Sequence, residues 1–249
     1  MTRHVAGITA CFVLIMTAGC GDGETPVLQT GTAEGLWRGT LNPSRTLNAA
    51  VLDDGTYYFL YSAVGNPAQL GGVIQGSGSS SDGTFSSSDA KDFGIGVATR
   101  DAAVSASFGA RQFLNGSVTY TAGGTQSFSS SYNTAYDTTP SLASLAGVYQ
   151  GQAGSSVGSQ LATMIVQFDG TFSGSEADGC TFSGAMTARV KGNVFDLTMT
   201  FGGSPCLFGS ATLRGATFVD SATAPIRLYA AAPNSTRTNA AMFLGVKIL

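Results

Sequence analysis

Few residues in this 249-residue chain could do chemistry. There is one histidine, His4, and four cysteines, Cys11, Cys20, Cys180 and Cys206. Ser-His-Asp and Cys-His catalysis, imidazole general-base work and His-ligated zinc or haem all require a histidine. His4 falls in an N-terminal segment that reads as removable, so an enzyme is not expected, nor is a cofactor or metal. Asp53-Asp54 is an adjacent carboxylate pair. Neighbouring strand residues face opposite ways, so the two are poorly disposed to share a proton. Asp169-Gly170 repeats the Asp54-Gly55 pattern, and a turn is expected at both places. Asp82, Asp89 and Asp92 lack the spacing of an EF-hand loop. They lie in a loose, Ser-rich stretch, residues 77–92, and are expected in a solvated loop. Aromatic residues with a polar handle are the remaining candidates. Trp37 and six of the eight tyrosines precede residue 137. Trp37, Tyr57, Phe59 and Tyr61 could line a pocket for a small apolar ligand, or they could simply fill a core.

The N-terminus has a charged start at Arg3, an apolar run over residues 5–16 and the small residues Thr17-Ala18-Gly19 before Cys20. That order is the layout of a secretory signal. The run of about 12 residues is shorter than the roughly 20 that a spanning helix needs. Ala18-Gly19-Cys20 resembles the lipobox of bacterial lipoproteins, with Thr17 where Leu is usual. The resemblance implies cleavage before Cys20 and diacylation of its sulfur. Two or more acyl chains hold a protein firmly on a membrane, at about 0.8 kcal/mol per buried CH₂. Gly21 stands where enteric inner-membrane lipoproteins carry Asp, which points to the outer membrane. Once Cys11 and Cys20 are set aside, Cys180 and Cys206 form an even pair in an oxidising compartment.

The formal net charge is −3 and there is no basic run, so nucleic acid is not an expected partner. The expected partners are a membrane, through the lipid, and either a small apolar ligand or an envelope or surface protein. A structural envelope lipoprotein, with its modules as spacers, is the alternative.

Two segments look alike. Gly35-Leu36-Trp37-Arg38-Gly39 is echoed 112 residues later by Gly147-Val148-Tyr149-Gln150-Gly151. Each is followed by an Asp-Gly turn inside an apolar run. Further matches pair residues 104–108 with 197–201, and 113–118 with 206–211. The reading is an all-β chain in which a module of a little over 100 residues is duplicated. It has a signal over 1–19, a flexible tether over 20–33, a first barrel over 34–132, a linker over 133–144 and a second barrel over 145–249. In the second copy, strands are expected near 147–153, 158–168, 171–176, 180–189, 193–202, 207–218, 225–231 and 239–248. Phe195, Leu197, Met199 and Phe201 alternate onto one face. Eight strands in consecutive hairpins fit an up-and-down β-barrel, whose closure removes sheet edges; a β-sandwich is the runner-up. If 193–202 folds back on 180–189, Cys180 and Cys206 come within bridging reach.

Gly35-Leu36-Trp37 resembles the Gly-x-Trp start of lipocalins, eight-stranded barrels that hold small apolar ligands; Tyr149 replaces the Trp in the second copy. The plan of lipid-anchored, repeated barrels is similar in architecture to surface lipoproteins of the transferrin-binding-protein-like class. The usual barrel motif of that class is absent, and host-protein binding is not carried over.

Overall fold

The structure, a computed structural model, describes residues 31–221 and 224–249. The expected signal, Cys20 and most of the expected tether lie outside the described residues. The first half contains β1 (Gly35–Leu41), β2 (Arg45–Val51), β3 (Thr56–Ala63), β4 (Asn66–Ser77), β5 (Ser79–Ser81), β6 (Thr84–Gly94), β7 (Arg100–Gly109), β8 (Phe113–Tyr120) and β9 (Thr125–Tyr132). The second contains β10 (Gly147–Ser155), β11 (Gly158–Val166), β12 (Thr171–Glu176), β13 (Thr181–Ala188), β14 (Phe195–Phe201), β15 (Thr212–Asp220), β16 (Arg227–Pro233) and β17 (Ala240–Lys247). A 3₁₀ turn (Thr134–Asp137) and a short helix α1 (Leu142–Leu145) join the halves.

Each half closes into an eight-stranded antiparallel meander barrel, with successive strands paired in order. The first closes where β1 meets β9, with Trp37 opposite Tyr132, and where β4 meets β6. The short β5 pairs only with the start of β6 and extends the wall. The second closes where β10 meets β17, with Tyr149 opposite Lys247. Among the described strands, closure leaves no long unpaired edge.

The repeated motif has the same physical role in both barrels. A Cβ on Gly39 would lie 1.9 Å from the Ser129 carbonyl oxygen, and one on Gly151 1.9 Å from that of Leu244. Glycine is thus required where the last strand crosses the first. Gly55 and Gly170 each have φ +83° in their Asp-Gly turns, and Asp54 and Asp169 each accept a hydrogen bond from the amide two residues on. The turn reading is thereby met. The aromatic of the motif closes the base. The Trp37 indole donates to the Ala33 carbonyl at 3.0 Å, and the Tyr149 hydroxyl to that of Leu145 at 2.8 Å. Ala33 and Leu145, each four residues upstream, are fully buried. Burial pushes the Tyr149 hydroxyl up to about 12. Tyr149→Phe should cost about 1 kcal/mol through the orphaned carbonyl. Urea melts check this: a lower midpoint with unchanged slope is expected, and an unchanged midpoint would contradict it.

The later repeat matches do not fall on equivalent strands. Residues 104–108 lie in β7, the sixth stave of its barrel, whereas 197–201 lie in β14, the fifth of the other. Residues 206–211 are mostly turn. The barrels instead share a side wall. Tyr57, Phe59 and Tyr61 of β3 point into the first barrel, while Tyr58 and Leu60 point out against the second. There they join Phe218, Tyr229, Met242 and Leu244 in one apolar cluster. A strand buried on both faces reads as a continuous apolar run, which is how Tyr57-Tyr58-Phe59-Leu60-Tyr61 reads. Arg189 crosses the same seam at the base, donating to Asp53 at 2.6 Å, Asp54 at 3.1 Å and Asp196 at 2.6 Å.

Candidate ligand site at the mouth of the second barrel

The Cys180–Cys206 disulfide forms as the hairpin arithmetic implies. β13 and β14 pair with Phe182 opposite Phe201, which brings residue 180 beside the loop after β14. The bridge lies at the end of the barrel opposite Leu145 and Tyr149. The β10–β11, β12–β13, β14–β15 and β16–β17 connections also gather there. Between them is a cavity of about 370 Å³, within the range of small-molecule sites. Its walls are Phe182, Met199, Phe201 and Phe243 from the strands, with Pro205, Leu207 and Phe208 from the bridged loop. Ala153 and Ala241 face inward and leave the space open. Val157 and Leu207, 70% and 52% exposed, form an apolar rim.

The polar part of the lining is concentrated on one side. The Gln160 side-chain amide donates to the Glu176 carboxylate, while its oxygen accepts the Asp178 amide at 3.2 Å. Burial, helped by the Asp178 charge, holds the Glu176 carboxyl above the usual carboxylate range despite the bond from Gln160. Asp178 is held below that range by the Cys180 amide and by Gln160. Among the described residues, no cluster of three or more His, Cys, Asp or Glu side chains could hold a metal ion.

The aromatic candidates of the first copy lie elsewhere. Trp37, Tyr57, Phe59 and Tyr61 are all at most 5% exposed in the core of the first barrel. Trp37 packs edge-on against Tyr132, and Tyr57 packs against Phe59 and Phe85. None of the four lines the 370 Å³ cavity. The open end of the first barrel is filled by a polar cluster. Asp92 accepts from the Tyr61 hydroxyl at 2.5 Å, the Tyr120 hydroxyl at 2.9 Å and Arg100 at 2.5 Å. Burial, and then the Asp92 charge, hold the Tyr61 hydroxyl well above its ordinary value.

The placement of Asp92 corrects the solvated-loop expectation, for the residue is 1% exposed. The reason is a register shift between Ser87 and Ala90. It moves the inward phase of β6 from Phe85 and Ser87 to Ala90 and Asp92. Asp89 stays nearer the surface and binds Arg237 of the β16–β17 loop.

No protein-family model matches the chain, and no curated protein matches it significantly. The fold and the cavity therefore carry the functional reading.

Proposed function

We propose that this chain is a lipid-anchored envelope protein that binds a small apolar ligand, without catalysis, at the mouth of its second barrel. The single observation that carries the reading is the cavity between Phe182, Met199, Phe201 and Phe243, open to solvent beside Val157 and Leu207. Barrels of eight strands either fill with their own side chains or hold one small ligand. Here the first is packed with aromatic rings and the second keeps a hollow mouth. The first barrel suits a structural role, as a support along the wall where the two barrels pack.

The lipid tether fits this division. The described chain enters beside Ala33 at the base of the first barrel. The mouths of both barrels lie at the other end, where the Gly96 amide donates to the Ser155 carbonyl at 3.2 Å. The cavity thus lies at the end of the barrels opposite the first described residues.

Two measurements test the proposal. The native protein should carry a diacylglycerol mass on the peptide that begins at Cys20, and Cys20→Ser should abolish it and release the protein from membranes. In the Cys20→Ser chain, the neutral probe N-phenyl-1-naphthylamine should brighten on binding. Ala153→Phe, which projects a ring into the hollow, should weaken that binding at least tenfold without lowering the melting temperature. Equal binding by the two chains, or none by either, would refute the cavity reading.

A further inference from the structure

Among the described residues, carboxylates are systematically paired. Nine of the thirteen Asp and Glu side chains lie within salt-bridge distance of a Lys or Arg. Of the other four, Asp82, Asp169 and Asp178 occupy turns. Glu176 is the exception, and it lines the cavity of the second barrel together with Asp178, in a lining that contains no Lys or Arg. Glu176 is only partly exposed, and Gln160 fixes one of its oxygens. A half-buried carboxylate with no cation beside it is unfavourable unless something neutralises it. The rest of the wall strengthens the same preference. Phe182, Phe201, Phe208 and Phe243 present aromatic rings around the hollow, and aromatic faces attract ammonium groups.

Resting on the cavity reading above, we infer that the ligand is a hydrophobic organic cation. Its apolar body fills the space between the phenylalanines, and its ammonium group meets Glu176 and Asp178 at the rim. Fatty acids and other apolar anions are disfavoured by the same two charges. The volume of about 370 Å³ suits a body of one or two rings or a short chain.

Three compounds with one apolar body and different charge separate this inference from the reading it rests on: 2-(1-naphthyl)ethylammonium, 2-(1-naphthyl)ethanol and 1-naphthaleneacetate. Calorimetry on the whole chain carrying Cys20→Ser should give an affinity order of ammonium, alcohol, carboxylate. The ammonium should bind at least tenfold tighter than the alcohol, and that advantage should shrink with added salt. Glu176→Gln should bring the ammonium to within about threefold of the alcohol and leave the alcohol unchanged. Equal affinities, or tightest binding of the carboxylate, would overturn the cation inference while leaving an apolar site standing. Failure of all three compounds and of the neutral probe would overturn both. The wild-type comparison decides the matter even if Glu176→Gln folds poorly, and Asp178→Asn supplies a second, more exposed variant.

Discussion

Replacing both Cys180 and Cys206 by alanine is expected to lower the unfolding free energy by roughly 3–4 kcal/mol. The bridge closes a loop of 26 residues, and the chain-entropy relation gives about that value for such a length. For a protein of this size, each kcal/mol moves the melting temperature by roughly 2–4 °C, so a fall of about 10 °C should appear in a thermal scan. Both cysteines are at least nine-tenths buried, and alanine fits the space without leaving a reactive thiol. A second effect should accompany the first. The bridge pins the loop that carries Pro205, Leu207 and Phe208 over the cavity. Without it, the affinity for the neutral probe should fall by about tenfold, because the loop must then be ordered on binding. A melting temperature within about 2 °C of wild type would show that the bridge does not constrain the unfolded chain. A large thermal loss with unchanged probe affinity would show that the loop holds its place without it.

The disulfide was legible because two simple rules converge on it: an even cysteine count and a hairpin whose open end sets the distance. The barrels were legible for a similar reason. Asp-Gly turns and period-two alternation recur along the second copy, and its eight expected strands match β10 to β17 closely. The largest boundary error is informative. A strand was expected from residue 207, but β15 begins at Thr212, because Gly202-Gly203-Ser204-Pro205 and the tethered Cys206 hold the chain in turns. The site was much less legible. Tyr and Trp drew attention to the first copy, yet large inward rings such as Trp37, Tyr57 and Phe59 fill a barrel. Space opens where inward positions are small, as at Ala153 and Ala241. Residue types alone do not mark the place, for small inward residues occur in both cores, Ala49, Ala90, Ala102 and Ala106 in the first and Ala153, Ala162, Ala230, Ala232 and Ala241 in the second. Asp92 was hidden for a different reason. Its burial depends on the β6 register shift, and Ser-rich sequence around a bulge gives no phase to read.

The Asp92 cluster sets up the other large effect. Arg100→Ala should destabilise the protein by about 2–3 kcal/mol. Removing one partner of a buried ion pair ordinarily costs about 3–5 kcal/mol, and the lower figure allows for the Arg100 side chain being 44% exposed to solvent. The cost comes from the carboxylate left behind, which keeps two tyrosine hydroxyls as donors but loses the guanidinium that balances its charge. Asp92→Asn should also destabilise, because its amide nitrogen must face donors: either the Tyr61 hydroxyl on one side, or Arg100 and the Tyr120 hydroxyl on the other. The double variant should lose less than the sum of the two, by at least about 1 kcal/mol, since neither an unpaired charge nor an unpaired guanidinium then remains at the site. Additive losses in urea melts would mean that the charges do not act on each other across the barrel mouth. Ligand affinity supplies the functional check. If the first barrel is a filled support and the second holds the site, none of these three variants should change binding of the naphthyl compounds by more than about twofold. A larger change would place the polar cluster in the binding apparatus and make the mouths of the two barrels one coupled device.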